Sequence, residues 1–477
     1  MFKKVAIAAI VWVITGVAGA QSPPPKSSSP TSAPKICSKC VRAHMEFLAS
    51  DALRGRGSGT QDEWIAATYI ASELEQYGVA PAGDQGGYIQ RATLSKRQVT
   101  GPPQITLKAE SNGTQQTWMH GKDVLVLHLG GSSFSGPLHK VDAENTGAAV
   151  PAGSVVFVMG KAVSLEEAAA HYGSQGAVAV VAAASERLNT RWEAVAGRPL
   201  HLPIELQGQP NSDLEPSFTL VAINASVAEA LSRAPEGSTV SMTVPASEPQ
   251  TSHTWNVVAK LAGTDPAHKN EVILLTAHLD HLGVAAPVNG DAIYNGADDD
   301  ASGSTAVLEL ARVLASRAKP RRTVIFAWFG SEEMGGLGSS YFRQHPPVPL
   351  NDIAAYLEFE MIGRADPAVR EGELWLTGWE RSDLGPALAA HGAHLVRDPH
   401  PDQQFFSRSD NYVFAKQGVV AQTVSSYGLH RDYHQPSDDV GHIDFQHMDE
   451  AIGSMLRPVL WLVNSSFVPH WKEGGKP

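Results

Sequence analysis

The order of hydrophobic and polar residues predicts two helices near the start of the folded chain. Apolar side chains recur three and four residues apart in residues 45–53 and again in residues 65–74. Such spacing places the apolar side chains on one face of a helix. The glycine-rich residues 54–59 separate the two blocks. We therefore expect a loop there and two helices that pack on a common core.

The pattern changes after residue 120, where short β-rich runs alternate with Gly, Pro and Ser. Apolar runs rich in β-branched residues lie at residues 155–159, 177–181 and 218–221. Runs of this length bounded by turn residues are typical of strands. We therefore predict a small β-rich inserted domain, carrying one or two helices, over residues 121–248.

Beyond residue 248, strand and helix patterns alternate in longer units. The pattern predicts strands at residues 272–277, 323–329 and 353–360 and a helix at residues 304–316. The run at 272–277 shows no polar alternation, which is typical of strands covered by helices on both faces. We therefore predict an α/β fold in which a central, mostly parallel mixed sheet is flanked by helices and built from residues 37–120 and 249–477.

The N-terminus has the order of regions found in export signals. Lys3 and Lys4 precede an apolar run over residues 5–17, and small residues follow at 18–20. This order is typical of a cleaved signal peptide, which we place at residues 1–20. An uncleaved signal anchor is the alternative, but the run is shorter than the ~20 residues that a spanning helix needs. We expect export to the periplasm or the exterior, without a membrane span in the mature chain.

A Pro- and Ser-rich stretch over residues 21–36 follows the signal. It can bury little surface, so we predict a flexible leader. Cys37 and Cys40, the chain's two cysteines, come directly after it. An oxidising compartment would allow a local disulfide between them. Two thiolates cannot by themselves complete a structural zinc site with four ligands.

Composition and charge narrow the class of protein. The chain has 477 residues, of which 43% are hydrophobic, so a large core and two folded units are expected. Its 37 Lys and Arg against 49 Asp and Glu give a formal net charge of −12. No basic block or basic stripe with interleaved aromatic residues occurs. We therefore exclude nucleic acid as a partner.

Acidic and His residues cluster directly after the predicted strands. They are His278, Asp280 and His281 after the first strand, Asp298, Asp299 and Asp300 before the long helix, Glu332 and Glu333 after the second strand, Glu360 at the end of the third, and His434 in a late loop. Ligands of open α/β sheets bind at the carboxyl ends of the strands. Zinc accepts imidazole nitrogen and carboxylate oxygen, and paired metal ions can act on one water. The pattern therefore predicts a two-metal hydrolase.

These residues stand in an ordered series of motifs that resembles peptidase family M28. The motifs are Ala-His-Leu-Asp-His at 277–281, Gly-Ala-Asp-Asp-Asp-Ala-Ser-Gly at 296–303, Ser-Glu-Glu-Met-Gly at 331–335, Glu-Phe-Glu-Met-Ile-Gly at 358–363 and Asp-Tyr-His-Gln-Pro-Ser at 432–437. The resemblance covers roughly residues 43–92 and 255–462. It implies a zinc exopeptidase fold with two Zn²⁺ per chain, for which Co²⁺ or Mn²⁺ are alternative ions.

The resemblance also implies how the metal ligands are shared. His278 and Glu360 would bind one zinc ion, Glu333 and His434 would bind the other, and Asp299 would bridge the two. Many aminopeptidases of the family carry Asp where this chain has Glu360. The longer side chain leaves the metal geometry and the choice of ion open.

Further roles follow from the same resemblance. Glu332 would be the general base, which takes a proton from the attacking water and returns it to the leaving amine. Asp280 would orient His278. The peptide bond between Asp299 and Asp300 would be cis, a costly feature found at functional sites.

Four more residues lie beside the motifs and are candidates for contact with substrate. They are His281, Arg364, Tyr427 and His430. Each has a structural alternative. His281 could hydrogen-bond the backbone, Arg364 could pair with an acid, and the other two could pack the loop that carries His434.

The inserted residues 121–248 resemble a protease-associated domain by placement and strand pattern, without a sharp motif. Recruitment of substrate is one role for this domain. A lid or spacer without binding specificity is the other.

The leading hypothesis is a zinc-dependent aminopeptidase that acts on peptide substrates. Carboxypeptidases and aminoacylases share the scaffold and stay open as alternatives, as do glutaminyl cyclases, which hold a single zinc ion. A non-catalytic exported binding protein is an alternative of another class, but the complete set of ligand and base positions argues against it. No Gly-x-Ser-x-Gly motif occurs, so a serine hydrolase of that type is excluded.

Overall fold

The computed structural model describes residues 35–108, 115–144, 148–160, 164–207 and 218–477. The predicted signal peptide and all but the last two residues of the predicted leader lie outside these ranges. Within them, no helix combines the length and the hydropathy needed to cross a bilayer.

The described residues form eleven α-helices. They are α1 (Ser38–Leu48), α2 (Gln61–Gln76), α3 (Leu165–Ser174), α4 (Glu186–Asn189), α5 (Trp192–Ala196), α6 (Ala225–Arg233), α7 (Gly303–Ala315), α8 (Leu337–Gln344), α9 (Leu384–Ala390), α10 (Asn411–Lys416) and α11 (Phe445–Asn464).

The strands of the first half of the chain are β1 (Ala80–Pro81), β2 (Ile89–Lys96), β3 (Gln104–Lys108), β4 (Gln115–Met119), β5 (Val124–His128), β6 (Ser133–Asp142), β7 (Val155–Met159), β8 (Ala179–Ala183), β9 (Glu205–Leu206), β10 (Thr219–Ile223) and β11 (Thr239–Thr243). Those of the second half are β12 (Gln250–Leu261), β13 (Val272–His278), β14 (Gly283–Val288), β15 (Asp291–Tyr294), β16 (Thr323–Phe329), β17 (Ile353–Phe359), β18 (Leu374–Leu376), β19 (Leu395–Arg397) and β20 (Ala421–Ser425).

The larger sheet is mixed and has parallel strands at its centre. Its order is β19, β18, β20, β17, β13, β16, β12, β2 and β9, and β1 also pairs with β12. The strands β20, β17, β13 and β16 run parallel to one another. Strands β12, β2 and β9 extend this sheet in antiparallel pairing. The predicted α/β class with a central mixed sheet is confirmed.

Strand β13 is buried on both faces, as its unbroken apolar pattern predicts. Ile273 and Leu275 belong to a core cluster that includes residues of α1, α2, α7 and α11. Val272 and Leu274 belong to a cluster on the opposite face, which includes residues of α8 and α10. Burying each such side chain contributes roughly 1.5–3 kcal/mol, so two helical layers hold the strand in place.

The two predicted N-terminal helices are present as α1 and α2. Helix α2 buries Ala66, Ala67, Ile70 and Leu74. Ile65 was expected on the core face, but it is 38% exposed. The buried apolar face therefore has Ala66 and Ala67 in place of Ile65 and keeps Ile70 and Leu74.

A second sheet contains the strands between β2 and β12, except β9. Its order is β4, β3, β11, β6, β7, β8, β10 and β5. Strands β3 and β4 pair within it, so it begins before residue 121, where the sequence predicted the inserted domain to start. The segment also carries helices α3 to α6, more than the one or two expected.

The two cysteines stand at the start of α1. Cys37 and Cys40 form a disulfide, and the Cys37 sulfur also accepts a hydrogen bond from the Cys40 amide at 3.2 Å. The bond therefore closes the first turn of the helix.

Candidate metal centre

Parallel strand ends bring the motif residues to one edge of the larger sheet. His278, the last residue of β13, lies opposite Phe329, the last residue of β16. On the other side of β13, Thr276 lies opposite Glu358, close to the end of β17. The loops that follow these strands therefore start beside one another, although the strands are far apart in the sequence.

The three consecutive aspartates after β15 do different things. Asp298 accepts hydrogen bonds from the Gly363 amide at 2.7 Å and the Ser302 hydroxyl at 3.2 Å. Asp300 accepts from the amides of Gly303 at 3.0 Å, His278 at 3.2 Å and Met361 at 3.1 Å. Two of the acids therefore tie backbone segments together, including the start of α7.

Asp299 is the acid of the three that lies beside the candidate ligands His278 and His434. Its Oδ1 lies 3.0 Å from His278 Nε2, and its Oδ2 lies 3.3 Å from His434 Nε2. The peptide bond between Asp299 and Asp300 is cis, as the resemblance implied.

Potential ligand atoms gather in two groups that share Asp299. The first group is His278, Asp299 and Glu360, and the second is His281, Asp299 and Glu333. Within each group the ligand atoms all lie within 4.8 Å of one another. The geometry matches a pair of sites with a common carboxylate.

His434 also reaches the second group. Its Nε2 lies 3.2 Å from Glu333 Oε2, and this buried nitrogen makes no hydrogen bond with the described residues. Imidazole nitrogens and carboxylate oxygens converging in this way suit zinc or a similar divalent cation. The residues present therefore fit two metal ions.

Asp280 supports the loop that carries Glu332 and Glu333. It is buried, and it accepts hydrogen bonds from the Ser58 hydroxyl at 2.5 Å and from the Glu332 amide at 3.0 Å. Its Oδ1 is 3.7 Å from His278 Nδ1. Asp280 thus lies between the first histidine and the backbone of the Glu332-Glu333 pair.

Burial and crowded carboxylates shift the pKa values of the site. Burial raises the pKa of Glu332 well above its usual range, and Asp410 and Glu333 add to the rise. Burial alone would lower the pKa of His434, but its contacts with Asp299 and Glu333 raise that pKa to about 10. The cluster attracts positive charge, as a divalent cation site requires.

A buried arginine that sequence reasoning missed holds two of the loops together. The Arg56 guanidinium donates hydrogen bonds to the carbonyls of Leu48 at 2.6 Å, Leu279 at 2.9 Å, Asn295 at 2.7 Å and Gly296 at 2.9 Å. Arg56 is 1% exposed. An arginine inside the glycine-rich loop at residues 54–59 was the available signal, because such a loop allows close backbone approach.

Two buried acids behind the site were also missed. Glu358 accepts hydrogen bonds from the Asn411 amide at 2.9 Å and the Thr423 hydroxyl at 3.0 Å. Burial raises the pKa of Asp410 to about 7. Glu358 lies in the same motif as Glu360, so an acidic residue inside a buried strand was a signal.

A cavity of about 300 Å³ opens beside the two ligand groups. Its wall includes Asp299, Glu332, Glu333, Glu360 and His434. The other wall residues are Gly335, Met361, Trp375, Thr377, Phe405, Ser407, Arg408, Ser409, Thr423, Ser425, Gly428, Leu429 and Tyr433. Most of these come from loops whose pattern gave no functional signal.

The four residues considered as substrate contacts do not line this cavity. His281 is fully buried and lies 2.7 Å from Glu333. Arg364 pairs with Asp432 at 2.7 Å and with Asp438 at 3.0 Å.

The remaining two pack in the loop that leads to His434. His430 Nε2 lies 3.2 Å from Asp298, and the ring of Tyr427 lies 5.5 Å from that of His430. Arg364, Tyr427 and His430 thus have the surroundings that their structural alternatives describe. The His281 ring lies beside Glu333 and makes no hydrogen bond to the backbone of the described residues.

Known proteins resemble this chain in sequence. The model of peptidase family M28 matches residues 256–457. Leucine aminopeptidase 2 of Trichophyton rubrum is 32% identical over 178 residues, which are 35% of this chain and 32% of that protein. An aminopeptidase of Pseudomonas aeruginosa is 40% identical over 111 residues, which are 23% of this chain and 18% of that protein. The matched part of the chain therefore spans a third or less of these two relatives.

A solved structure shares the fold. The aminopeptidase from Aneurinibacillus sp. strain AM-1 superposes with a TM-score of 0.51 at 19% identity, covering 91% of this chain and 96% of the other. All the residues of the two ligand groups lie within residues 256–457. Residues 256–457, which carry the ordered motifs and the site at the strand ends, match the model of peptidase family M28.

Proposed function

We propose that this chain is an exported, two-zinc aminopeptidase that hydrolyses the first peptide bond of its substrates. The observation that carries the proposal is the pair of ligand groups sharing Asp299, next to a cavity whose wall also contains Glu332. The relatives reported above are named aminopeptidases, which supports cleavage at the N-terminal end of the substrate. Export rests on the pattern of residues 1–20.

The assignment of ligands follows the first group and, in the second, takes His434 in place of His281, because His434 lines the cavity and His281 does not. We propose that His278 and Glu360 hold one ion, that Glu333 and His434 hold the other, and that Asp299 contacts both. Bound zinc would supply Lewis acidity for the scissile carbonyl and for the attacking water.

Glu332 does the proton transfers in this proposal. It lines the cavity without belonging to either ligand group, so its carboxylate is free for the reaction. It accepts a proton from the attacking water as the water oxygen bonds to the carbonyl carbon. It then gives that proton to the leaving amine as the carbon–nitrogen bond breaks.

Asp280 is proposed as a positioning residue. Its hydrogen bond with the Glu332 amide at 3.0 Å and its contact with His278 at 3.7 Å connect the base to a ligand. It therefore fixes the base relative to the metal ions. For the inserted segment, whose sheet includes the strands from β3 to β11 except β9, we propose a protease-associated type of domain.

A paired assay tests the function. The mature protein is incubated with a peptide that has a free N-terminus and with its N-acetylated counterpart, before and after chelation and zinc restoration. Release of the first residue from the free peptide alone, lost on chelation and regained with zinc, is the expected result. Cleavage of the acetylated peptide from its C-terminal end would replace the proposal with a carboxypeptidase. Failure to cut either peptide with metal bound would remove the substrate assignment.

A further inference from the structure

One cationic side chain stands out in the wall of the catalytic cavity. Asp299, Glu332, Glu333 and Glu360 make the metal end of the wall acidic, and Arg408 is the wall's sole arginine or lysine among the residues that the structure describes. Arg408 is exposed, whereas Asp299 is buried and the three glutamates are partly buried. A positive charge here acts on whatever enters the cavity.

The guanidinium of Arg408 lies on an aromatic support. Its Cζ is 5.4 Å from the centroid of the Phe405 ring, and Phe405 stacks on Trp375 at 5.2 Å. Trp375 is 1% exposed and donates a hydrogen bond from Nε1 to Asp366 at 3.1 Å. Phe405 is packed so closely against Gly428 that a Cβ there would lie 2.3 Å from the ring. The platform under Arg408 is therefore held on both sides.

Arg408 has no carboxylate partner among the described residues, in contrast to Arg364 nearby in the fold. Arg364 is 12% exposed and is neutralised by Asp432 and Asp438. The planar guanidinium offers two parallel donors that match a carboxylate. An arginine that lines a substrate cavity and has no carboxylate partner can pair with a carboxylate of the ligand.

We propose that Arg408 forms a subsite for a carboxylate of the peptide substrate. The inference rests on the proposed function. Two sources present the same chemistry: an acidic side chain of the first residue, or the C-terminal carboxylate of a very short peptide. In either case the carboxylate pairs with Arg408, an exposed residue of the cavity wall. The same charge repels substrates with Lys or Arg side chains at this position.

Three dipeptides distinguish the two possible sources of the carboxylate. Gln-Ala-amide is the neutral reference, Glu-Ala-amide adds a side-chain carboxylate, and Gln-Ala with a free C-terminus adds a terminal carboxylate. Their affinities are measured by calorimetry on zinc-loaded Glu332→Gln, with and without Arg408→Gln, so that binding is read without turnover. Arg431→Gln is the matched control, because it removes a charge from an 85% exposed side chain outside the cavity wall.

The expected result is that one carboxylate dipeptide binds about tenfold more tightly than the neutral one, as a charge-assisted pair predicts. Arg408→Gln should abolish this preference, and Arg431→Gln should keep it. Equal binding of all three dipeptides, or a preference that survives Arg408→Gln, overturns the subsite. Cleavage by the wild-type protein is scored separately. An Arg408-dependent preference without any cleavage would thus reject the proposed function and leave the subsite standing.

Discussion

His281 Nδ1 lies 2.7 Å from Glu333 Oε1, and the two side chains have exposed fractions of 0% and 7%. The imidazole ring is pressed against Gly296, where a Cβ would lie 2.4 Å from its Cγ. Gly296 also has a φ of +59°, which glycine adopts without strain. His281 is therefore fixed beside a proposed metal ligand and has no route to substrate.

His281→Ala should lower the metal content of the protein. Loss of the contact frees the Glu333 carboxylate to rotate, and partners of this kind change metal affinity about 10–100-fold. His281→Asn should restore much of the content, because its amide nitrogen can take the place of Nδ1. Metal per chain after dialysis, measured by mass spectrometry, is the readout. His434→Ala should lose metal as well, and the exposed His391→Ala serves as control. Wild-type metal content in His281→Ala would show that His281 does not position Glu333 for metal binding.

Glu332→Gln should keep its metal ions and lose most of its turnover. The amide is close in shape to the carboxylate but cannot accept the proton, and general base catalysis contributes about 10²–10⁴-fold. Rates with a free-amine peptide and metal per chain are measured side by side. Glu333→Gln should lose both metal and activity, which separates a ligand from the base. A Glu332→Gln enzyme with wild-type kcat would show that another group handles the proton.

Arg56→Met should destabilise the fold far more than Arg54→Met. The first change leaves carbonyls of Leu48, Leu279, Asn295 and Gly296 without their donor. Breaking a buried charged network costs about 3–5 kcal/mol. The Arg54 side chain is 64% exposed and reaches Asp62 only at 4.0 Å, so its loss should cost under about 1 kcal/mol.

Free energies of unfolding in urea, measured on chelated protein, give both values. Arg56→Lys should fall between wild type and Arg56→Met, because its single ammonium keeps the charge but cannot reach four carbonyls. Similar losses in Arg56→Met and Arg54→Met would mean that the four hydrogen bonds contribute little.

His44 should make the protein less stable in mild acid. Its Nδ1 lies 2.7 Å from the Tyr69 hydroxyl and its Nε2 lies 3.1 Å from that of Tyr77. Burial, followed by the charge of Arg312, lowers the pKa of His44 to about 4. Below pH 6.5 the unfolded chain binds a proton that the folded chain excludes, so the stability present above pH 6.5 falls as the pH drops toward 4.

Urea unfolding of chelated protein across this range tests the effect. Between pH 7 and pH 4 the wild type should lose about 3 kcal/mol more than His44→Gln, since each pKa unit corresponds to about 1.4 kcal/mol. The exposed His345→Gln should follow the wild type. Parallel pH profiles for wild type and His44→Gln would show that His44 titrates alike in both states.

The sequence by itself determined the larger sheet and the chemistry at its edge. Unbroken apolar runs predicted β13, β16 and β17, because strands covered on both faces need apolar residues at every position. Polar residues directly after those runs had to meet, since parallel strands end at one edge. The acidic and His residues after those runs could therefore be placed at one site from their positions. The resemblance to family M28 then implied His278, Asp299, Glu333, Glu360 and His434 as the ligands.

Only the tertiary structure decided which distant side chains touch. Arg56 meets Gly296 across 240 positions, and His281 turns toward Glu333 rather than the cavity. Phe405 and Trp375 are also far apart in the sequence, and they stack on each other beneath Arg408. The periodicity of apolar residues shows which face of a helix or strand is buried. It carries no information about the residues that pack against that face. Contacts between loops depend on how the layers pack, and that packing fixes the wall of the cavity.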